Sequence, residues 1–216
     1  MTASRALAAE AVGTALLVAA VVGSGIMAQR LAVDPAVALL ANTLATGGAL
    51  VAILLVFGPV SGAHLNPAVT LSLAATRQLA PRIAAGYIAA QVAGGIAGAI
   101  AANAMFALPL VSWSEHVRAG APQLLAEGIA TFGLLGVVIA VGRSRAAATP
   151  FAVAAYIVGA YWFTASTSFA NPAVAIARAF SDTYAGIRPA DVGGFIVAEL
   201  AGAAVGSVFF GWLVPA

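Results

Sequence analysis

Two copies of one short motif are the residues of this chain best placed to do chemistry. The tripeptide Asn-Pro-Ala occurs at Asn66-Pro67-Ala68 and again at Asn171-Pro172-Ala173. Asparagine is a good N-cap and proline is favoured at the first helical position, so each motif predicts the start of a helix. A helix start carries a positive dipole end, and the asparagine amide adds hydrogen-bond donors. Two such starts facing one narrow path would favour neutral solutes that carry oxygen and would oppose cations.

The composition indicates which elements must hold these motifs. Of the 216 residues, 62% are hydrophobic and only 7% are charged, whereas soluble domains average about 45–50% apolar and about 25% charged residues. The chain has too few polar residues to coat a soluble protein, so we expect one integral membrane domain over residues 1–216. Nine scattered arginines indicate no nucleic-acid partner. The chain has no cysteine and only two histidines, so we expect no metal site.

Apolar runs between short polar stretches predict six membrane-spanning helices. Two further segments, residues 61–76 and 166–180, are apolar but too short to cross a bilayer, and each contains one Asn-Pro-Ala motif. We expect them to enter the membrane as half-helices buried in protein. The predicted spans cover residues 6–28, 36–57, 82–108, 122–141, 149–167 and 190–214.

An internal repeat relates the two halves of the chain, residues 1–118 and 119–216. Residues 9–14 match residues 126–131, and residues 87–91 match residues 195–199, in the same order as the two motifs. Each half holds three spans and one short segment. Because three is odd, the second half must enter the membrane from the opposite side. The predicted fold is therefore all-α, with six transmembrane helices and two re-entrant half-helices in an inverted 3+3 repeat.

The arginines give a preference for orientation. In the predicted topology, five lie on the side of the N-terminus and four on the other side. Since cytoplasmic loops carry the excess of positive charge, we expect a multi-pass protein of the cell membrane with a cytoplasmic N-terminus.

The sequence around the first motif resembles one family of membrane channels. Residues 61–70 read Ser-Gly-Ala-His-Leu-Asn-Pro-Ala-Val-Thr. With the second motif and the paired Ala-Glu signatures, this resembles the aquaporin, or major intrinsic protein, family over essentially the whole chain. The resemblance implies a homotetramer with one pore per subunit and no cofactor.

The same resemblance implies a second constriction built from four residues. Counting from the motifs, these are Thr46, Gly159, Ser168 and Val174. Val174 stands where the family usually has arginine, as in a bacterial subgroup associated with arsenic-resistance operons. Four uncharged residues of small or medium size imply a widened filter. Glycerol, arsenite, small organoarsenicals and hydrogen peroxide then join water as candidate solutes.

Each charged residue near the motifs has two alternative interpretations. Arg178 lies one helical turn after Val174, so it either supplies a displaced filter charge or pairs at the interface with Asp182. Glu10 and Glu127 lie inside apolar spans, where a carboxylate is a functional candidate by default. They could relay protons, but their matched positions favour accepting hydrogen bonds from the re-entrant loops.

Three further sets of residues are assigned in the same way. His64 is expected to be a hydrogen-bonded loop residue at the inner vestibule, with a pH gate as the alternative. Glu199 matches the neutral Gln91, which argues against a symmetric proton relay. The aromatic run of residues 161–163 is expected to pack outside the pore.

The sequence thus predicts a passive channel for water and small uncharged solutes, not an enzyme. A secondary transporter is the alternative, because it too uses inverted repeats and broken helices. A cation channel would require a ring of acids or carbonyls at its constriction, and neither predicted constriction contains an acid.

Overall fold

Six long helices and two short ones make up the computed structural model, which describes residues 2–215. Six helices are long and apolar enough to cross a membrane, the fifth together with a 3-10 turn at Ala146–Ala148. This confirms the predicted multi-pass, all-helical fold. The helices are α1 (Ala3–Leu31), α2 (Pro35–Ser61), α3 (Pro67–Ala75), α4 (Pro81–Met105), α5 (Ala121–Ser144), α6 (Thr149–Phe163), α7 (Pro172–Arg178) and α8 (Pro189–Leu213).

The third and fifth predicted spans are too long at their C-terminal ends, the third by three residues because α4 ends at Met105. Helix α6 ends at Phe163, four residues before the predicted end at residue 167. The Thr164 hydroxyl donates to the carbonyl of Ala160 at 2.7 Å, and the backbone leaves helical geometry at Thr164. The segment from Thr164 to Asn171 is instead the chain that carries the second motif into the membrane.

Both Asn-Pro-Ala motifs begin short helices, as the sequence predicts. The Asn66 Oδ1 atom accepts the Ala68 N–H at 2.8 Å, and the Asn171 Oδ1 atom accepts the Ala173 N–H at 3.0 Å. Helix α3 has nine residues and α7 has seven. At about 1.5 Å of rise per residue, neither reaches half of the roughly 30 Å hydrocarbon core.

Glycines allow two equivalent helix pairs to pack closely. A methyl group at Gly94 of α4 would overlap the Ala11 carbonyl oxygen of α1. In the second half, a methyl group at Gly202 of α8 would overlap the Gly128 carbonyl oxygen of α5. Small residues at a helix interface permit this approach. The α1–α4 and α5–α8 pairs are therefore related as the inverted repeat requires.

Contacts at the helix ends show which ends share a side of the membrane. The Arg143 guanidinium donates to the carbonyl of Val214, which joins the C-terminal ends of α5 and α8. We call this side, where residues 2 and 215 both lie, the terminal side. On the opposite side, Arg30 donates to the Phe106 carbonyl at 2.8 Å, joining the ends of α1 and α4. Gln29 there accepts the Tyr184 N–H at 3.2 Å, so the loop after α7 lies on the opposite side.

Candidate permeation pathway

The two re-entrant loops meet through a reciprocal pair of hydrogen bonds. The Asn66 Nδ2 atom donates to the Ala170 carbonyl at 2.7 Å, and the Asn171 Nδ2 atom donates to the Leu65 carbonyl at 2.7 Å. Each asparagine thus caps its own half-helix with its oxygen and holds the other loop with its nitrogen. The two half-helix starts face each other, as the inverted repeat predicts.

Glu10 and Glu127 hold these loops from behind. Both are fully buried. Glu10 accepts the Leu65 N–H at 2.7 Å, and Glu127 accepts the Ala170 N–H at 2.7 Å. Glu10 also accepts the N–H of His64 at 3.0 Å, while Glu127 accepts that of Phe169 at 2.9 Å. These are the contacts that the bracing interpretation predicts, and neither glutamate lines the pathway.

The hydrogen bonds to Glu10 and Glu127 explain an unusual backbone conformation where the two loops meet. Leu65 and Ala170 have φ angles of 50° and 49°, a left-handed conformation that costs a non-glycine residue about 1–2 kcal/mol. In this conformation each residue points its N–H to the glutamate behind it and its carbonyl to the asparagine of the other loop. The strain is therefore offset by two buried hydrogen bonds at each position.

A cavity of about 740 Å³ passes between the two asparagines. On the terminal side its wall is largely apolar, with Leu54, Leu73 and Val138, and His64 contributes the polar group next to Asn66. The His64 Nδ1 atom is hydrogen-bonded to the Thr70 hydroxyl at 3.1 Å. His64 is thus a hydrogen-bonded loop residue that lines the cavity, and its place at an inner vestibule stays a prediction.

The opposite end of the cavity contains three of the four predicted filter residues. Thr46, Ser168 and Val174 line it, but Gly159 does not and is exposed on the outer face of α6. The assignment of Gly159 to the filter is therefore wrong. Counting back from the second motif crosses the irregular segment 164–171, which does not preserve the helical face.

Tyr161 supplies the cavity-lining side chain of α6 at this end. With Val153 and Ile157 it forms a row at four-residue spacing along one face of the helix. Its hydroxyl lies 3.5 Å from the Thr46 hydroxyl. The expectation that Tyr161 packs outside the pore is thus also wrong, and the four-residue spacing was the signal that could have found it.

Arg178 lines the cavity and is 2% exposed. Its Nε atom donates to the Ala185 carbonyl, and its guanidinium carbon lies 3.4 Å from the centre of the Phe169 ring. Asp182 instead accepts the N–H of Glu115 at 2.9 Å. Among residues 2–215 the one ion pair joins Arg188 and Asp191. The predicted pairing of Arg178 with Asp182 is therefore wrong.

A second arginine, Arg118, organises the backbone around this end. It donates to the carbonyls of Gly186 at 2.8 Å and Ser166 at 3.1 Å, and it stands 5.0 Å from the centre of the Phe169 ring. Sequence reasoning missed this role because the groups that accept hydrogen bonds from the guanidinium are all backbone carbonyls distant along the chain.

His116, in the loop between α4 and α5, adds no positive charge near these arginines at neutral pH. Partial burial, followed by the positive charges of Arg118 and Arg178, lowers the pKa of His116 below its ordinary value. Within residues 2–215, no three metal-ligating His, Cys, Asp or Glu side chains come together.

Known proteins resemble this chain in sequence and in fold. The family model described as "Major intrinsic protein" matches residues 1–167. The aquaglyceroporin AqpS of Rhizobium meliloti (strain 1021) is 54% identical over 211 residues, covering 98% of this chain and 91% of that protein. Aquaporin NIP6-1 of Arabidopsis thaliana is 35% identical over 144 residues, covering 66% of this chain and 47% of that protein.

Among solved structures, the aquaglyceroporin of Plasmodium falciparum shares the fold with a TM-score of 0.78. It is 18% identical, and the match covers 97% of this chain and 96% of that one. Together with the paired half-helices and the cavity between them, these matches establish the family to which the protein belongs. The chain belongs to the major intrinsic protein family, and it is a membrane channel for water and small solutes, not an enzyme.

Proposed function

We propose that the protein is a passive channel whose selectivity lies at the opposite-side end of the cavity. The observation that carries this is the pair of residues on α7: uncharged Val174 lines the cavity directly after the second motif, and Arg178 lines it one turn later. Four residues correspond to about 6 Å of helix. The filter charge is thus displaced outward, and the space beside Val174 is left open for solutes larger than water.

The lining of this end suits small solutes with hydroxyl groups. Arg178, Tyr161 and Thr46 offer hydrogen-bonding groups, and the buried Ser168 hydroxyl has no partner within the described protein. Phe169 and Val174 provide an apolar surface beside them. Glycerol and arsenous acid, the neutral form of arsenite, carry hydroxyls on a small body. We therefore propose them as permeants beside water, hydrogen peroxide and small organoarsenicals.

Cation exclusion follows from the same groups. Arg178 places a positive charge on the cavity wall, and no acidic side chain from residues 2–215 lines the cavity. The starts of α3 and α7 add two positive dipole ends near Asn66 and Asn171. We infer that the two asparagine amides orient the permeant at the midplane while these charges repel protons and metal cations.

The absence of acidic groups from this lining also argues against the secondary transporter. A coupled carrier would need ligands for its driving ion near the midplane. Glu10 and Glu127 are already engaged by backbone N–H groups of the loops. Passive flux down a gradient is the function that this lining supports.

We also propose an orientation in the membrane and an oligomeric state for the protein. We expect the chain to act as one channel unit, with halves meeting near residue 118, in the cell membrane with a cytoplasmic N-terminus. We also expect it to assemble as a homotetramer with one pore per subunit. The distribution of arginines and the family resemblance support this arrangement.

Substituting Val174 tests the widened filter. In liposomes containing the purified protein, Val174→Arg should lower glycerol and arsenite permeability about tenfold relative to water, since a misfitted group in a shaped site discriminates by about that factor or more. Val174→Leu is the matched control, because it adds volume without charge, and it should change this ratio less. An unchanged ratio of glycerol to water permeability in Val174→Arg would refute the widened filter.

A further inference from the structure

Glu199 of α8 is a buried carboxyl group for which the pathway as described has no role. It is fully buried and does not line the cavity. Its Oε1 atom accepts the N–H of Asn171 at 3.0 Å. Its Oε2 atom is buried and receives no hydrogen bond from the backbone or amide groups of the described chain. The side chain beside it is Glu127, another carboxyl group.

The first half of the chain shows what belongs in this position. Gln91 is the repeat equivalent of Glu199, and Glu10 is that of Glu127. The Gln91 Nε2 atom donates to the Glu10 Oε2 atom at 2.7 Å. An amide can donate in this way and a carboxylate cannot, but a protonated carboxyl group has an O–H donor. Glu199 can therefore replace glutamine only when it carries a proton.

The surroundings indicate which of the two carboxyl groups holds that proton. Both oxygens of Glu127 accept backbone N–H groups, from Phe169 at 2.9 Å and Ala170 at 2.7 Å, which suits a carboxylate. Glu199 accepts one such bond and has one oxygen left over. Within residues 2–215, the charged groups near enough to act on Glu199 are Glu127 from α5 and Arg178 from α7. Two adjacent carboxylates in a buried site repel each other, so one of them retains its proton.

We propose that Glu199 is a positioning residue that acts as a neutral carboxylic acid. Its Oε2–H donates to the Glu127 carboxylate, and its Oε1 atom holds the backbone of Asn171. It thereby sets the orientation of the amide that faces the permeant. This inference rests on the proposed role of Asn171 in orienting solutes.

The two loops should respond differently to alkaline pH. At sufficiently alkaline pH the shared proton is lost, and two negative charges then face each other behind the second loop. The first loop has the amide of Gln91 in this position, which does not titrate. Alkaline conditions should therefore loosen the second half-helix while leaving the first in place.

The test compares wild-type protein with Glu199→Gln, Glu199→Leu and Gln91→Glu, each as the full chain in liposomes. Infrared spectroscopy records the carbonyl stretch of protonated carboxylic acids, thermal unfolding is followed from neutral to alkaline pH, and glycerol flux is measured in parallel. Glu199→Gln should lose one protonated-acid band and the alkaline fall in stability, while flux stays within about twofold of wild type because the amide restores both bonds. Glu199→Leu should reduce flux about tenfold, because it leaves the Asn171 N–H unsatisfied.

Gln91→Glu introduces a second carboxyl pair, now behind the first loop. Gln91→Glu should add a second protonated-acid band and a steeper alkaline fall in stability. An unchanged infrared spectrum in Glu199→Gln, or an unchanged alkaline fall, would overturn the proposal whether or not Glu199→Leu folds. If wild-type protein passed no neutral solute at all, the proposed function would fail, while the infrared and stability measurements would still decide the state of Glu199.

Discussion

The two re-entrant loops, residues 61–75 and 166–178, have the same backbone but different surroundings. Ala63 and Leu65 in the first loop, like Ser168 and Ala170 in the second, have φ angles between 45° and 52°. Each loop is held by a buried glutamate and by the asparagine of the other. The two halves of the chain therefore hold their half-helices by equivalent hydrogen bonds.

Their cavity-facing ends differ in chemistry. The first loop faces a largely apolar wall in which His64 is the polar group next to the asparagine. The second faces Arg178 and Tyr161, and the Phe169 ring centre lies 3.4 Å from the guanidinium carbon of Arg178 and 5.0 Å from that of Arg118. The repeat supplies a symmetric scaffold, and we propose that selectivity depends chiefly on Arg178 and Tyr161, which lie in the second half, with Thr46 contributed by the first.

Removing Glu10 or Glu127 should give the largest difference in stability between the two loops. Glu10 accepts hydrogen bonds from four groups, the Ser61 hydroxyl, the N–H groups of His64 and Leu65, and the Gln91 amide. Glu10→Ala leaves these donors unpaired at about 1–3 kcal/mol each. We expect little folded protein, with a larger loss than in Glu127→Ala, whose side chain accepts two backbone bonds. Yield and thermal midpoint in detergent measure this, and a larger loss in Glu127→Ala would contradict it.

Glycine substitutions test whether the two helix pairs are equivalent. Gly94→Ala and Gly202→Ala should each destabilise the protein by about 1–3 kcal/mol, because the added methyl group overlaps a backbone carbonyl of the facing helix. Gly211→Ala is the matched control, since a methyl group there meets no atom within 4 Å. Thermal unfolding in detergent gives the comparison. A Gly94→Ala variant as stable as Gly211→Ala would argue against the close packing of α1 and α4.

Removing one hydroxyl from the filter should have the smallest effect. Tyr161→Phe deletes the hydroxyl that lies 3.5 Å from the Thr46 hydroxyl. We expect a two- to threefold change in glycerol flux. This corresponds to about 0.5 kcal/mol, the low end of the range for one hydrogen bond. Tyr156→Phe, on the same helix, loses a bond to the Ala130 carbonyl but lies outside the cavity lining. It should lower stability and leave the ratio of glycerol to water flux unchanged. Equal effects of the two variants on that ratio would remove Tyr161 from the filter.

Local signals explain which parts of this molecule could be predicted from the sequence. Hydropathy locates the six spans, and the Asn-Pro-Ala motif fixes each half-helix start through its own side chain. The matched positions of Glu10 and Glu127 point to the braces because the repeat preserves the distance to each loop.

Long-range contacts explain what could not be predicted. Gly159 was misplaced because counting back from the second motif crosses the irregular segment 164–171, whereas the four-residue spacing along α6 could have indicated Tyr161. Arg118 acts on carbonyls of Ser166 and Gly186, which no spacing along the chain reveals. The sequence shows that the second half has Glu199 where the first half has Gln91. The role we propose for Glu199 depends on the neighbouring Glu127, which the sequence does not reveal.

The most direct measurement of the central claim is the flux of glycerol and protons through Arg178→Ala in liposomes. Arg188→Ala is the control, because Arg188 is an arginine at the start of α8 that pairs with Asp191 and does not line the cavity. We predict that wild type and Arg188→Ala pass glycerol without a proton leak. Arg178→Ala should pass glycerol faster and let protons through. Unchanged glycerol flux and an intact proton barrier in Arg178→Ala would contradict the assignment of Arg178 as the displaced filter charge.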